Sequence, residues 1–117
     1  MALTKPMWFD KQGKPLKMGE WARLFEHTEY RRVERTVFIN NAEISTIWVG
    51  IHFSAHKDPY LFETSIWHPN AKRWDTVAKY KTLEDAKKGH AAKVKEMQET
   101  YALAPVAHVK GPDERPK

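Results

Sequence analysis

The chain has 117 residues, enough for one domain with its own core and with little room for a second. It contains no cysteine, which excludes disulfides, thiolate metal centres and cysteine nucleophiles and fits a reducing compartment. A formal net charge of +5 permits attraction to nucleic acid or to an acidic protein, but excludes mimicry of DNA, which requires a strongly acidic surface. No apolar run approaches the roughly 20 residues of a membrane span. The opening M-A-L-T-K-P-M-W-F-D has no hydrophobic leader core, so a cytoplasmic protein is expected.

Met7-Trp8-Phe9 followed by Gly13 and Pro15 predicts a short edge strand or arm and a turn. Met18, Trp21, Leu24 and Phe25 recur at helical spacing and predict a first helix over about 18–26. Residues 30–39 alternate as a strand. Val33, Val37 and Ile39 share one parity with Arg31 and Arg35, and Arg32, Glu34 and Thr36 take the other. Asn40-Asn41 predicts a tight turn, because Asn tolerates positive φ. The strand over 43–53 then pairs back. Its apolar face is predicted at Ile47, Val49, Ile51 and Phe53, with Ile44, Thr46, Trp48, Gly50 and His52 opposite. Gly50, in mid-strand, predicts a bulge or a close approach by another group.

A polar loop over 54–59 leads to a strand over 60–68. There Tyr60, Phe62 and Ile66 are expected to point inward, and Leu61, Glu63, Ser65 and Trp67 outward. Pro69-Asn70 turns the chain into a strand over 73–80. Thr82 caps a long helix over 83–101 whose stripe is Leu83, Ala86, His90, Val94, Met97 and Tyr101. Small residues at Ala86 and Gly89 let it approach the sheet closely. The expected architecture is α+β over residues 1–104: an antiparallel meander of four strands, a short N-terminal helix and a long C-terminal helix packed on the sheet. The N-terminal strand is open as a fifth. Residues 105–117 read as a flexible basic tail.

By parity Trp48 and His52 share a sheet face with Glu63 and Trp67, and Trp74 or Arg73 lies nearby. Such a face is a core surface if the first helix covers it. Uncovered, it is a protein or homodimer interface, or a platform for stacked bases. His90 on the helix stripe reads as a buried histidine with a polar partner. The sharper alternative joins it to Glu63 or His52 as an acid–base pair for a small hydrolase, or as a metal site. His52, His56 and His68 lack metal-ligand spacing, and no phosphate loop, nucleophile elbow or H-E-x-x-H is present, so no cofactor, metal or catalytic residue is assigned. Arg31, Arg32 and Arg35 form the densest basic patch, but strand parity sets Arg32 on the face opposite the other two.

The segments E-W-A-R-L-F-E, Y-R-R-V, S-T-I-W-V-G, F-E-T-S-I-W and T-L-E-D-A-K-K-G-H, spread from about Trp21 to Val94, resemble a group of small uncharacterised proteins encoded by bacteriophages and prophages. The A-H-K-D-P loop and the chain after Pro105 fall outside the resemblance. The resemblance carries no activity. It implies an accessory factor acting in the cytoplasm of an infected bacterial cell on a host or phage component. The expected function is therefore non-enzymatic protein binding, to a partner or to a second copy, through the tryptophan-bearing face or the 54–59 loop. Trp48, Trp67 and Trp74 would be anchors, with Arg31 and Arg35 at the rim. Nucleic-acid or nucleotide binding by the same tryptophans with Arg73 and Arg32 is the alternative.

Overall fold

The structure is a computed structural model that describes residues 7–52 and 59–117. The expected 54–59 loop, apart from Pro59, and the strand end at Phe53 lie outside the described residues. The chain is α+β, in the order β1 (Met7–Phe9), β2 (Pro15–Leu16), α1 (Met18–Glu26), α2 (Thr28–Arg31), β3 (Arg32–Phe38), β4 (Glu43–Trp48), β5 (Ile51–His52), β6 (Phe62–His68), β7 (Arg73–Tyr80), α3 (Leu83–Tyr101) and β8 (Pro105–Lys110). A five-stranded antiparallel sheet runs β7-β6-β4-β3-β8, and a small sheet runs β2-β1-β5. The predicted four-strand meander is the body of the large sheet. No helix among the described residues is long and apolar enough to cross a membrane.

Local chemistry accounts for the element ends. Glu20 reaches back to accept from the Lys17 backbone N–H (3.0 Å) at the start of α1. Thr82 Oγ1 accepts from the Asp85 N–H (3.1 Å) at the start of α3. Asn41 takes φ 70° in the β3–β4 turn, as an Asn tolerates. Gly50 breaks the strand predicted over 43–53, with φ 66° and the Trp48 indole packed where a Cβ would stand. The chain then crosses from the large sheet into the small one.

α3 lies across one face of the large sheet, on β3, β4, β6 and β7. The core beneath it has three zones. One apolar cluster gathers Trp48, Tyr30, Val33, Leu61, Phe62 and Ala86, with Trp21 and Phe25 of α1 packed on it. A second gathers Phe38, Ala42, Ile44, Ile66 and Met97. Between them Thr36, Thr46, Thr64 and His90 are fully buried. His90 Nε2 lies 2.9 Å from Thr36 Oγ1 and its Nδ1 lies 2.8 Å from Thr46 Oγ1. Thr46 bonds Thr64 at 2.6 Å, and Thr36 bonds His108 Nδ1 at 2.7 Å. A neutral His90 protonated on Nε2 satisfies the whole chain in one direction: Thr64 donates to Thr46, Thr46 to His90, His90 to Thr36 and Thr36 to His108.

This polar layer inverts the expected faces of β4. Ile44, Thr46 and Trp48 are buried, whereas Glu43, Ser45 and Ile47 face the other way. On β6 the expectation holds for Phe62 and Ile66, but Leu61 is buried and Tyr60 half exposed. A bulge between Thr64 and Ser65 changes the parity of β7, so Trp74 and Thr76 lie on the face opposite Ala78 and Tyr80.

Residues 105–117 are not a loose tail. β8 pairs along β3, and all six of its residues are exposed, so backbone pairing holds it rather than apolar burial. Gly111 then passes so close to the Arg32 carbonyl that a side chain there would collide with backbone. The segment beyond is clasped by the N-terminal turn. Lys11 Nζ donates to the carbonyls of Arg32 (2.8 Å) and Pro112 (2.6 Å). Gln12 Nε2 donates to the Asp113 carbonyl (2.7 Å), and Arg115 Nη2 pairs with buried Asp10 at 2.9 Å. Burial pushes the Lys11 ammonium down to about 8, against the opposing pull of Asp113. The N-terminal strand does not join the large sheet; β8 is its fifth strand.

Candidate binding face

β3, β4, β6 and β7 present one face to α3; among the described residues no helix covers the other, and one-turn α2 reaches just its corner. Strand register arranges this face in rows. One row crosses Ala107, Val37, Glu43, Trp67 and Trp74. The next crosses Val109, Arg35, Ser45, Ser65 and Thr76, and the third crosses Arg32, Ile47, Glu63 and Lys79. The first and third rows are four residues apart on β4, or roughly 13 Å at the rise of an extended chain.

Trp67 and Trp74 are cross-strand neighbours with ring centroids 5.5 Å apart, tilted by 51°. Trp74 is 48% exposed, although a side chain of that size normally seeks cover. Trp67 also borders a groove of about 750 Å³ on the α3 side, which Met97, Tyr101, Leu103 and Arg73 line, Arg73 lying opposite His68 rather than on the uncovered face. Arg73 Nη2 lies 3.4 Å from Asp75, whose carboxylate also meets His68 at 3.0 Å.

Trp48 does not belong to this face, which corrects the expected trio of anchors. It lies fully buried on the α3 side, its Nε1–H donating to the Phe9 carbonyl (3.0 Å) and its ring edge-on to Tyr30 at 4.9 Å. The core reading of the tryptophans therefore applies to Trp48. The idea of a Glu63–His90 pair fails on geometry. Glu63 lies on the uncovered face opposite Lys79, and His90 is sealed in the core on the other side of the sheet. Burial, aided by His108, pushes His90 down to about 4, so it is neutral near pH 7. His52 sits on β5 of the small sheet, and it and Glu63 both line a cavity of about 410 Å³ with Tyr60 and Lys79.

No family model, no curated protein and no solved structure matches this chain.

The basic patch is arranged differently from the parity expectation. Residues 28–31 form α2 rather than strand, and a register shift lies between Arg32 and Glu34. The consequence is that Arg31, Arg32 and Arg35 all line one cavity of about 300 Å³, with Thr28, Ser45 and Ile47. Arg35 Nη2 pairs with Glu43 at 2.8 Å, which raises the Arg35 pKa further. The reading of His90 as a buried histidine with a polar partner holds, whereas the threonine layer around it and the clasp at Lys11 have no counterpart among the sequence expectations. The recurrence of Thr at 36, 46 and 64 on successive strands was the available signal for the first, and nothing local signals the second. Among the described residues no group of three or more His, Asp or Glu is placed to hold a metal ion.

Proposed function

We propose that this chain is a non-enzymatic accessory binding protein that takes a protein partner on the uncovered face of its large sheet. The Trp67–Trp74 pair is the anchor, with Arg35 at the rim. A half-exposed Trp74 packed against partly buried Trp67, on a sheet face that α3 leaves bare, carries the reading. Charge on that half of the face supports a protein rather than a polyanion. Arg35 is paired with Glu43, and Glu63 stands across from Lys79. Truncating paired tryptophan anchors typically weakens an interface by 2 kcal/mol or more each, about thirtyfold. The resemblance to bacteriophage-encoded proteins is the support for reading such a factor as one that acts in the cytoplasm of an infected bacterial cell, on a host or phage component.

A photo-crosslinking residue at position 76, beside the intact tryptophan pair on the same face, with position 99 on α3 as the control, tests the reading in cells making the full chain. Protease-sensitive adducts from position 76 and not from position 99 are the expected result. An adduct with the mass of two chains makes the partner a second copy. Absence of adducts at 76, or equal yields at both positions, overturns the reading. A nuclease-sensitive adduct would replace the protein partner with nucleic acid, a reading that the convergence of Arg31, Arg32 and Arg35 on this face favours.

A further inference from the structure

We infer that the pocket formed by Arg31, Arg32 and Arg35 is a binding site for a phosphate monoester. Three guanidinium groups line it, and Glu43 pairs with Arg35 alone. Among the described residues no carboxylate pairs with Arg31 or Arg32, so two positive charges stand without a counter-charge in one concavity. The Arg31 Nε–H is closed off from solvent and has no hydrogen-bond partner. A buried, unpartnered donor on a cation is costly, and native proteins rarely keep one without a use or a bound ion.

Arg31 is also held in place. Its guanidinium lies over the Phe25 ring, 4.8 Å from the centroid, and Nη2 meets Thr28 Oγ1 at 3.4 Å. Such stacking orients the planar fork before any ligand arrives, which reduces the ordering cost of binding. The Thr28 and Ser45 hydroxyls add neutral donors on the same wall.

Charge selects the ligand class. Two uncompensated guanidiniums match the dianion of a phosphate monoester, whose charge near pH 7 is about −1.5 to −2. A backbone diester brings one charge per phosphate, and a carboxylate brings one charge with fewer acceptor oxygens. The site is a single pocket rather than a groove that tracks a strand. It involves neither tryptophan, so it stands or falls apart from the partner reading.

The test titrates the full chain, labelled with ¹⁵N, with inorganic phosphate, a nucleoside 5′-monophosphate, a phosphoserine peptide with its unphosphorylated twin, and a single-stranded oligonucleotide, all at matched chloride strength. Saturable shifts of the Arg31 Nε–H signal with the monoesters are expected. The shifts weaken at pH 5, where the phosphate loses its second charge. Arg32→Gln is expected to weaken binding about tenfold, as is Arg31→Lys, which keeps the charge but not the fork. Trp74→Ala leaves phosphate binding unchanged even if it abolishes crosslinking from position 76. A phosphopeptide bound about tenfold tighter than free phosphate assigns the monoester to a modified side chain, and a tighter nucleotide assigns it to a small ester. Shifts that never saturate, that spread evenly over surface lysines, or that titrate with unchanged affinity in Arg32→Gln overturn the site. An oligonucleotide without terminal phosphate that outcompetes every monoester overturns the choice of ligand.

Discussion

Replacing Trp48 with alanine is expected to lower the unfolding free energy by about 3–5 kcal/mol, the range for emptying a large aromatic site in a packed core. The indole is fully buried, meets Tyr30 edge-on at 4.9 Å and Phe25 at 6.2 Å, and sits where Gly50 leaves room for it. Its loss would also leave the Phe9 carbonyl without its 3.0 Å donor. Trp74→Ala, at a half-exposed site on the uncovered face, should cost less than about 1 kcal/mol. Urea denaturation of the two variants separates core from surface, because the midpoint should drop sharply for one and barely for the other. Equal midpoints would refute the division of the tryptophans between the two faces.

Acid should destabilise the fold through one histidine. His90 has an ordinary pKa of 6.5 when unfolded, and burial, with His108 beside it, lowers the folded value to about 4. Below pH 6.5 the unfolded chain therefore takes up a proton that the folded chain refuses. Stability attributable to His90 is complete above about pH 6.5, declines as pH falls toward 4, and levels off below that. The full loss is about 3 kcal/mol, since each pKa unit is worth about 1.4 kcal/mol. The protonated ring would have to donate from both nitrogens, reversing the direction in which Thr46 donates to it. His90→Gln keeps a donor and an acceptor but cannot titrate in this range. Comparing the pH dependence of both proteins isolates the histidine from the carboxylates. Parallel curves for wild type and His90→Gln between pH 7 and 4 would contradict the assignment.

The helices were readable because apolar spacing and caps agree there. Met18–Glu26 buries Leu24, Leu83–Tyr101 buries the stripe of Ala86, His90 and Met97, and Thr82 caps the second of them. The meander was readable from its turns. The sheet faces were harder, because the buried face of β4 carries a threonine at its centre. A count of apolar side chains favours Ile47, Val49 and Ile51, whereas the core takes Thr46 because His90 and Thr64 satisfy its hydroxyl. Trp48 followed the wrong face for the same reason. The arginine pocket was hidden by α2 and by the shift in register after Arg32, since strict alternation sends Arg32 away from Arg31 and Arg35. β8 has no alternation of apolar and polar residues to mark it, since Val106 and Val109 are exposed like the rest of the strand. Its partner is the exposed edge of β3, which no local pattern names.

The clasp between the N-terminal turn and the segment after β8 also bears on the order in which the chain assembles. Its bonds join residues 101 and 105 positions apart. Closing so long a loop before other contacts exist is entropically unfavourable, whereas β3–β4 and β6–β7 close through short turns. The meander with α3 against it is thus the natural nucleus, and β8 docks once the β3 edge is in place. Contacts that form after the transition state govern the escape rate rather than the folding rate. Asp10, Lys11 and Arg115 accordingly set how long the native state lasts once made, more than how fast it is reached.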